Sequence, residues 1–464
     1  MSAAIFAGEA DSKAFGAGEG KNPELGHYQR VCDRHRPPLQ EKMIIRARMV
    51  VTMGGPPIDN GGVAIEADRI VDVGAFDEIR ARHAGEMVDL GEQVLLPGLI
   101  NAHCHLDYTC LRGKIPPPKA FTEWIRAIVS AKEKLSAQDY VASIDQGFAE
   151  AKKFGTTTMV NLTAVPELIP QINPPMRTWW FPELIDVRSP ERTNEIVDLA
   201  VDALKSALEC ADTSALSKRR HVAALQNWAL APHAPFTASR KLYQHCEEIA
   251  RRENVLLTTH LAESRDEMEM FFKSRGPLFD FLAQMGRDNS DLHGKTPVEH
   301  LAEFCTLDDR WLLVHLNELP ASDADTLLRS KTLPHIVHCP RSHGYFGHSP
   351  FPFRRLRDLG FNICLATDSL ASNDDLNLFR EMRTFERNEP ALSPRQILEM
   401  VTVNAARALG QGDRLGQIAP GFLADLIALP CPGSATAFEE IVAFKATVTW
   451  MMTDGKSVNL ARLC

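Results

Sequence analysis

No apolar run in this chain approaches the roughly 18 residues that a bilayer-spanning helix needs, so such a helix is excluded. Positive charge is not in excess. Lys and Arg total 51 against 60 Asp and Glu, a formal net charge of −9. That balance argues against an electrostatic grip on nucleic-acid phosphates. The ten cysteines include no CxxC pair. Several of them, such as Cys339 in IVHCP and Cys364 in FNICLATD, sit inside apolar runs, as buried free thiols do. The N-terminal segment lacks the apolar core of a secretory signal, so a reducing cytoplasm is the expected compartment.

What is present is ordinary in composition and specific in pattern. The 464 residues are 44% hydrophobic and 24% charged, which excludes a disordered chain, a collagen or a small disulfide scaffold. The length fits two to four domains, or one large barrel with a satellite. Residues 1–42 are rich in Gly, Ala and charge without a sustained period, and are expected to be a flexible extension without chemistry. From Met43, short β-rich runs (MIIRARMVVTM, GGVAIEADRIVDVG, MVDLGEQVLLPG) alternate with Gly, Pro and Asp. The same texture returns in GQIAPGFLADLIALP and AFKATVTWMMTDGKSV. The two ends are expected to pair as one small β-sandwich, from residues 43–97 and 401–464, around a long insertion at 98–400.

That insertion alternates strand and helix. Apolar runs ending at a polar residue occur at 93–103, 156–163, 177–186, 226–233, 255–261, 311–316, 335–339 and 362–369. Amphipathic stretches such as SAQDYVASIDQGFAEAKKFG and ASRKLYQHCEEIARREN lie between most of them. Eight strands alternating with helices predict an α/β fold, a closed (β/α)8 barrel of the TIM type. His103, His105, His233, His260, His315, His338 and Asp368 all fall at strand C-terminal ends, the face where such barrels place chemistry.

His103 and His105 are two residues apart, and alternate strand residues share a side, so both imidazoles can reach one ion. An HxH pair is weak by itself in a chain with 16 histidines; the breaker and apolar run before NAHCHLD give it context. His260 closes VLLTTHL, and Glu263 follows within a turn, within reach of a metal-bound water. His315 closes WLLVHL. Asp368 closes NICLATDS, where an acid is improbable as core unless paired or metal-bound. Three imidazoles and a carboxylate suit Zn²⁺ or Fe²⁺ better than Mg²⁺ or Ca²⁺. The fourth strand, NWALAPH, has no lysine, which disfavours two metals bridged by a carbamylated lysine; one divalent ion with an open water position is expected.

The motifs LLPGLINAHCHLD, CLRGK, GTTTMV, APHAPFT, HLAES, VHCPRSH, LATDSLASN, TVNAARALG and GQIAPGFLADL stand in the order found in the amidohydrolase superfamily. From residue 43 to the end the chain resembles its cytosine-deaminase-like branch. That branch includes guanine deaminase, methylthioadenosine and S-adenosylhomocysteine deaminases, aminodeoxyfutalosine deaminase and the triazine chlorohydrolases. The resemblance implies His103, His105, His260 and Asp368 as metal ligands, with zinc the expected ion and iron the alternative. It implies Glu263 as proton shuttle, with Asp368 as a second proton acceptor. His315 would hydrogen-bond the attacking water or the substrate. Trp124 resembles a tryptophan that covers the base, Glu133 an acid that reads ribose hydroxyls, and His233 a substrate contact.

The implied activity is hydrolytic deamination of an aminated purine or nucleoside-type ring, a small-molecule reaction with no nucleic acid or membrane partner. A homodimer is a further expectation. A chlorohydrolase or other hydrolase of a nitrogen heterocycle is the alternative, and a non-catalytic scaffold the second. Arg177, at the N-terminal end of its strand, is expected to be structural, while Glu183 and Asp186 are placed to face the pocket. The segment CPRSHGYFGHSPFP departs from the branch: His343 stands where Asn is usual and His348 follows, so this segment, with Arg341, is a candidate pocket wall.

Overall fold

The computed structural model describes residues 42–212, 227–430 and 436–459. The expected extension at 1–42, apart from Lys42, lies outside the described residues. Five strands open the chain: β1 (Lys42–Val50), β2 (Ile58–Glu66), β3 (Arg69–Ala75), β4 (Glu86–Asp89) and β5 (Gln93–Pro97). Eight follow in the middle: β6 (Leu99–Cys104), β7 (Thr156–Thr163), β8 (Arg177–Leu184), β9 (Ala231–Pro232), β10 (Leu257–Leu261), β11 (Trp311–His315), β12 (His335–His338) and β13 (Ile363–Leu365). Three close it: β14 (Leu426–Pro430), β15 (Trp450–Thr453) and β16 (Lys456–Asn459).

The two ends pair as expected. One sheet runs β16-β15-β14-β5-β1-β2-β3, with β4 on β1. Its centre is the antiparallel β5–β14 ladder, Leu96 opposite Ile427, which joins residues from opposite ends of the chain. The run 93–103 was read as one strand, and the structure divides it. Pro97 ends β5 in the chain-end sheet, and β6 starts at Leu99 in the barrel. Gly98 makes the crossing, because a Cβ there would stand 2.1 Å from Thr157 Oγ1. Helix Val403–Ala408 packs with the barrel's inner cluster, so the second contribution of strands to the chain-end sheet begins at Leu426.

The middle strands form two parallel sheets, β6-β7-β8-β9 and β10-β11-β12-β13. They meet at two seams. At one, Leu230 and Leu257 bridge, and Thr258 N donates to Leu230 O at 3.0 Å. At the other, Asn101 Nδ2 donates to Thr367 Oγ1 at 2.8 Å, and Asp368 N donates to His103 O at 3.3 Å. The barrel is therefore closed, with His103 and Asp368 side by side at the second seam.

Both faces of these strands are buried, as parallel strands between core and helices must be. Ile100, Ala102, Val160, Leu162, Trp179, Phe181, Leu312 and Val314 fill an inner cluster, closed below by Ala405, Ala406 and Leu409. The alternate residues meet the outer helices. Helix Ala137–Lys153, for example, is set by a Ser136/Asp139 capping box and buries Tyr140, Ile144, Phe148 and Ala151 at helical spacing.

Arg177 holds the barrel to the chain-end sheet. It donates to Asp425 Oδ2 at 2.5 Å and to Asp454 Oδ1 at 3.2 Å. Removing a guanidinium from a buried carboxylate leaves that charge uncompensated. Arg177→Ala is expected to destabilise the fold by about 3–5 kcal/mol in denaturant unfolding, with Asp425→Asn/Arg177→Met recovering much of the loss. Unchanged stability in Arg177→Ala would show that this pair does not hold the two parts together.

Candidate metal centre and cavity

A bulge re-aims the first pair of candidate ligands, His103 and His105. Asn101 pairs with Met159 but Cys104 with Asn161, so three residues on β6 span two on β7. Ile100 and Ala102 lie in the inner cluster, whereas Cys104 lies in the outer one with Leu106 and Phe148. Simple alternation would have sent Cys104 inward. With the parity switched, His103 and His105 turn to the mouth on either side of it.

There they meet the ends of four other strands. His105 Nε2 and His260 Nε2 stand 3.3 Å apart. Asp368 Oδ1 is 3.6 Å from His103 Nε2 and 4.0 Å from His105 Nε2. Ligand atoms of His103, His105 and Asp368 lie within 4.8 Å of one another, as do those of His103, His260 and His315. Both ring nitrogens of His103 are buried without a hydrogen-bond partner among the described residues, an arrangement that costs free energy unless something else satisfies them. His260 Nδ1 faces the His233 carbonyl at 2.9 Å, which fixes the ring so that Nε2 points inward, as a supported imidazole ligand requires. Burial lowers His105 to about 4 and holds His260 and His315 well below the usual imidazole range. These rings are neutral at pH 7 and have lone pairs to offer. The donor set fits one borderline divalent ion of the zinc or iron kind.

Asp368 is prepared as an anion. Burial alone would raise it, but the facing His103, His315 and His105 imidazoles hold it well below the usual carboxylate range. Its Oδ2 accepts from Ser342 Oγ at 2.6 Å and Ser372 Oγ at 3.0 Å, and Oδ1 accepts from Ser369 N at 2.7 Å. Glu263 is prepared in the opposite sense. Burial first, then the charges of Asp368 and Glu267, push its carboxyl well above the usual range. Its Oε1 is 3.6 Å from His315 Nε2.

The strand ends that carry these groups are strained. Ala262, His315, Leu316 and Asp368 have φ of 50°, 78°, 48° and 58°, values costly for residues with a Cβ and concentrated at functional sites. The bracing is visible. Glu267 accepts from Ala262 N at 3.2 Å and Glu263 N at 2.7 Å, and Asn317 Nδ2 donates to Glu263 O at 3.1 Å. Sequence reasoning missed Glu267, although Ser264-x-x-Glu267 ahead of a helix is a capping-box signature.

The cavity above the cluster has a polar floor of His105, Glu183, His233, His260, Glu263, His315 and Asp368. Its walls are apolar, with Phe121, Trp124, Ile125, Ile128 and Val129 from one helix and Phe236, Phe281, Leu282 and Met285 opposite. Trp124 donates from Nε1 to Ala371 O at 3.3 Å. His233 is at the floor, 3.7 Å from Glu183 Oε1. Burial opposes charge on Glu183, but His233, Lys132 and His105 bring it down to about 2.

Four expected residues lie elsewhere. Glu133 is exposed at the end of helix Phe121–Lys132 and is not brought to the cavity. The face that carries Trp124 and Ile128 reaches Lys132 next, and Lys132 does line the cavity, 3.8 Å from Glu183 and over the Tyr108 ring. Helical periodicity was the signal that could have found it. Asp186 instead braces a loop, accepting from Ser239 N and Oγ and from Thr193 Oγ1. His338 stacks on Phe351 at 3.9 Å and is not among the residues lining the cavity. Arg341 is held by Asp375 and Asp374 on another side of its helix.

The amidohydrolase family profile matches residues 94–458, and a short profile for a bacterial imidazolonepropionase-like composite domain matches 61–85. A 5-methylthioadenosine/S-adenosylhomocysteine deaminase of Syntrophobacter fumaroxidans is 31% identical over 82% of each chain. A 5′-deoxyadenosine deaminase of Methanothermobacter thermautotrophicus is 28% identical over 84% of each. Among solved structures, an aminofutalosine deaminase of Helicobacter pylori superposes with TM-score 0.76 at 20% identity, covering 90% of this chain and 100% of that one. A zinc-bound adenosine deaminase of Xanthomonas campestris gives 0.71 at 23% identity, covering 91% and 93%. These two show the same fold.

Purified protein is expected to hold about one divalent ion per chain by elemental analysis. His103→Ala should lose it, and the metal-dependent part of the melting temperature with it. Full metal occupancy in His103→Ala would remove that residue from the ligand set.

Proposed function

The chain belongs to the amidohydrolase family, and from that premise we propose that it is a hydrolytic deaminase of a purine-nucleoside-type substrate. The observation that carries the reading is the pairing of Glu263, a buried carboxyl biased toward its acid form, with the His103, His105, His260 and Asp368 cluster on one cavity floor. The names of the relatives point to adenosine-type nucleosides, and the apolar walls suit a flat heterocycle. The proposed ligands are His103, His105, His260 and Asp368, with zinc the preferred ion. The proposal extends to a homodimer acting in the cytoplasm.

When bound, a divalent ion supplies the Lewis acidity that makes water nucleophilic near neutral pH. The residues then divide the remaining work. Once Glu263 has given up its own proton, the two protons of the water go one each to Glu263 and Asp368. Glu263 passes a proton to the ring nitrogen beside the amino-bearing carbon, which makes that carbon electrophilic. His315, neutral and 3.6 Å from Glu263, steadies the oxygen entering the ring. The proton taken up by Asp368 passes to the amino group, the C–N bond breaks, ammonia leaves, and the ring keeps the oxygen as a carbonyl. Trp124 covers the ring, while His233, Glu183 and Lys132 supply the polar contacts beside it.

Two measurements test this. Ammonia release against adenosine, methylthioadenosine, S-adenosylhomocysteine, 5′-deoxyadenosine, guanine and an aminotriazine should single out a purine nucleoside. Glu263→Gln should keep its metal and lose about 10²–10⁴ of kcat; full turnover in that variant ends the mechanism. On the substrate found, Lys132→Ala should raise KM about tenfold, while Glu133→Ala changes it by less than about twofold. The reverse ranking would return Glu133 to the substrate contacts.

A further inference from the structure

The Glu263 main chain is fixed at both ends, yet its carboxylate accepts no hydrogen bond from the described residues. Two imidazole nitrogens face the same oxygen, Oε1: His315 Nε2 at 3.6 Å and His348 Nε2 at 4.0 Å. The His348 side chain is 6% exposed, and its Nε2 is buried without a hydrogen-bond partner among the described residues. A buried imidazole nitrogen without a partner among the described residues, facing a carboxylate oxygen that accepts no bond from them, is an arrangement that calls for a bond in some state of the protein.

The backbone around His348 is built to hold that aim. Helix Pro340–Phe346 ends at Gly347, with φ of 66°, and the chain turns back there. His343 Nε2 lies 2.8 Å from Ser349 O, and Ser349 Oγ donates to Glu318 Oε2 at 3.0 Å. Arg265 Nη2 donates to the same hydroxyl at 3.2 Å. Phe121 and Phe346 pack beside the ring, with centroids at 6.2 and 5.2 Å. The two histidines of SHGYFGH thus divide the labour: His343 braces the turn, and His348 is presented by it.

We propose that His348 is a positioning residue for the proton shuttle. Its neutral Nε2–H donates to Oε1 of Glu263, leaving Oε2 free to face the reacting atoms. This rests on the deaminase reading above. A movement of about 1 Å brings the pair into N–H···O range. Burial, with His343 and Arg265 nearby, lowers His348 to about 3, so the ring donates without charge. A cationic neighbour would pull Glu263 toward its anion and take away the proton it must deliver; a neutral donor orients the group and leaves the proton in place.

The test compares His348→Phe with His348→Gln in metal-loaded protein, after melting temperatures confirm folding. His348→Phe should lower kcat roughly 10- to 100-fold with KM nearly unchanged, as loss of orientation does. His348→Gln, whose amide N–H reaches the same place, should recover most of it. Independently of any substrate, the Glu263 carboxyl band in the infrared, assigned by its absence in Glu263→Gln, should shift in His348→Phe and return in His348→Gln. An unmoved band, or equal loss of kcat in both variants, overturns the proposal. If wild-type protein releases no ammonia, the deaminase reading fails, and the infrared comparison still decides the His348–Glu263 bond.

Discussion

Four imidazoles and a carboxylate buried together at one barrel mouth are the constraint on which the rest of the structure depends. Among the described residues nothing hydrogen-bonds to either ring nitrogen of His103, and His105 and His260 present nitrogens to each other at 3.3 Å. Such a cluster is expensive in an apolar interior unless something satisfies its lone pairs. A divalent ion would do so, and its charge would match Asp368, which is held as an anion. The same burial that keeps the His105, His260 and His315 rings neutral holds Glu263 toward its acid form. Asp368 and Glu263 therefore differ in protonation because their neighbours differ, although both are buried carboxylates.

Holding that cluster requires backbone that a regular strand does not offer. The bulge on β6 switches parity so that His103 and His105 face the mouth. Left-handed backbone at Ala262, His315, Leu316 and Asp368 turns three strand ends toward one point. Each such residue costs on the order of 1–3 kcal/mol. The surrounding bonds offset it: Glu267 on two successive amides, Ser342, Ser369 and Ser372 on Asp368, and Asn101 across the seam. Residues with no contact to a substrate are thus part of the reaction's geometry.

The rest of the chain keeps this mouth dry and shaped. Helix Phe121–Lys132 covers it with aromatic and aliphatic side chains, and Lys132 closes the polar corner on Glu183. The chain-end sheet grips the opposite end of the barrel through Gly98 and the Arg177–Asp425 pair. No helix among the described residues is long and apolar enough to cross a membrane.

By itself the sequence determined the period of each element, and with it the barrel, the pairing of the two chain ends and the strand-end positions of the candidate groups. Periodicity and strand termination are local properties, so His103, His105, His260, His315 and Asp368 could be picked out one by one. Tertiary structure alone decided which of them converge. His338 also ends a strand, but packing turns it onto Phe351. Glu133 is one residue from Lys132, and the 100° step between neighbours on a helix sends one to solvent and the other to the cavity. Glu267 reaches the Ala262 and Glu263 amides, and His348 comes to face Glu263 at 4.0 Å, only because the loops that carry them are packed together. Local pattern fixes what a residue type can do at a strand end; only the packed fold fixes which atom it faces.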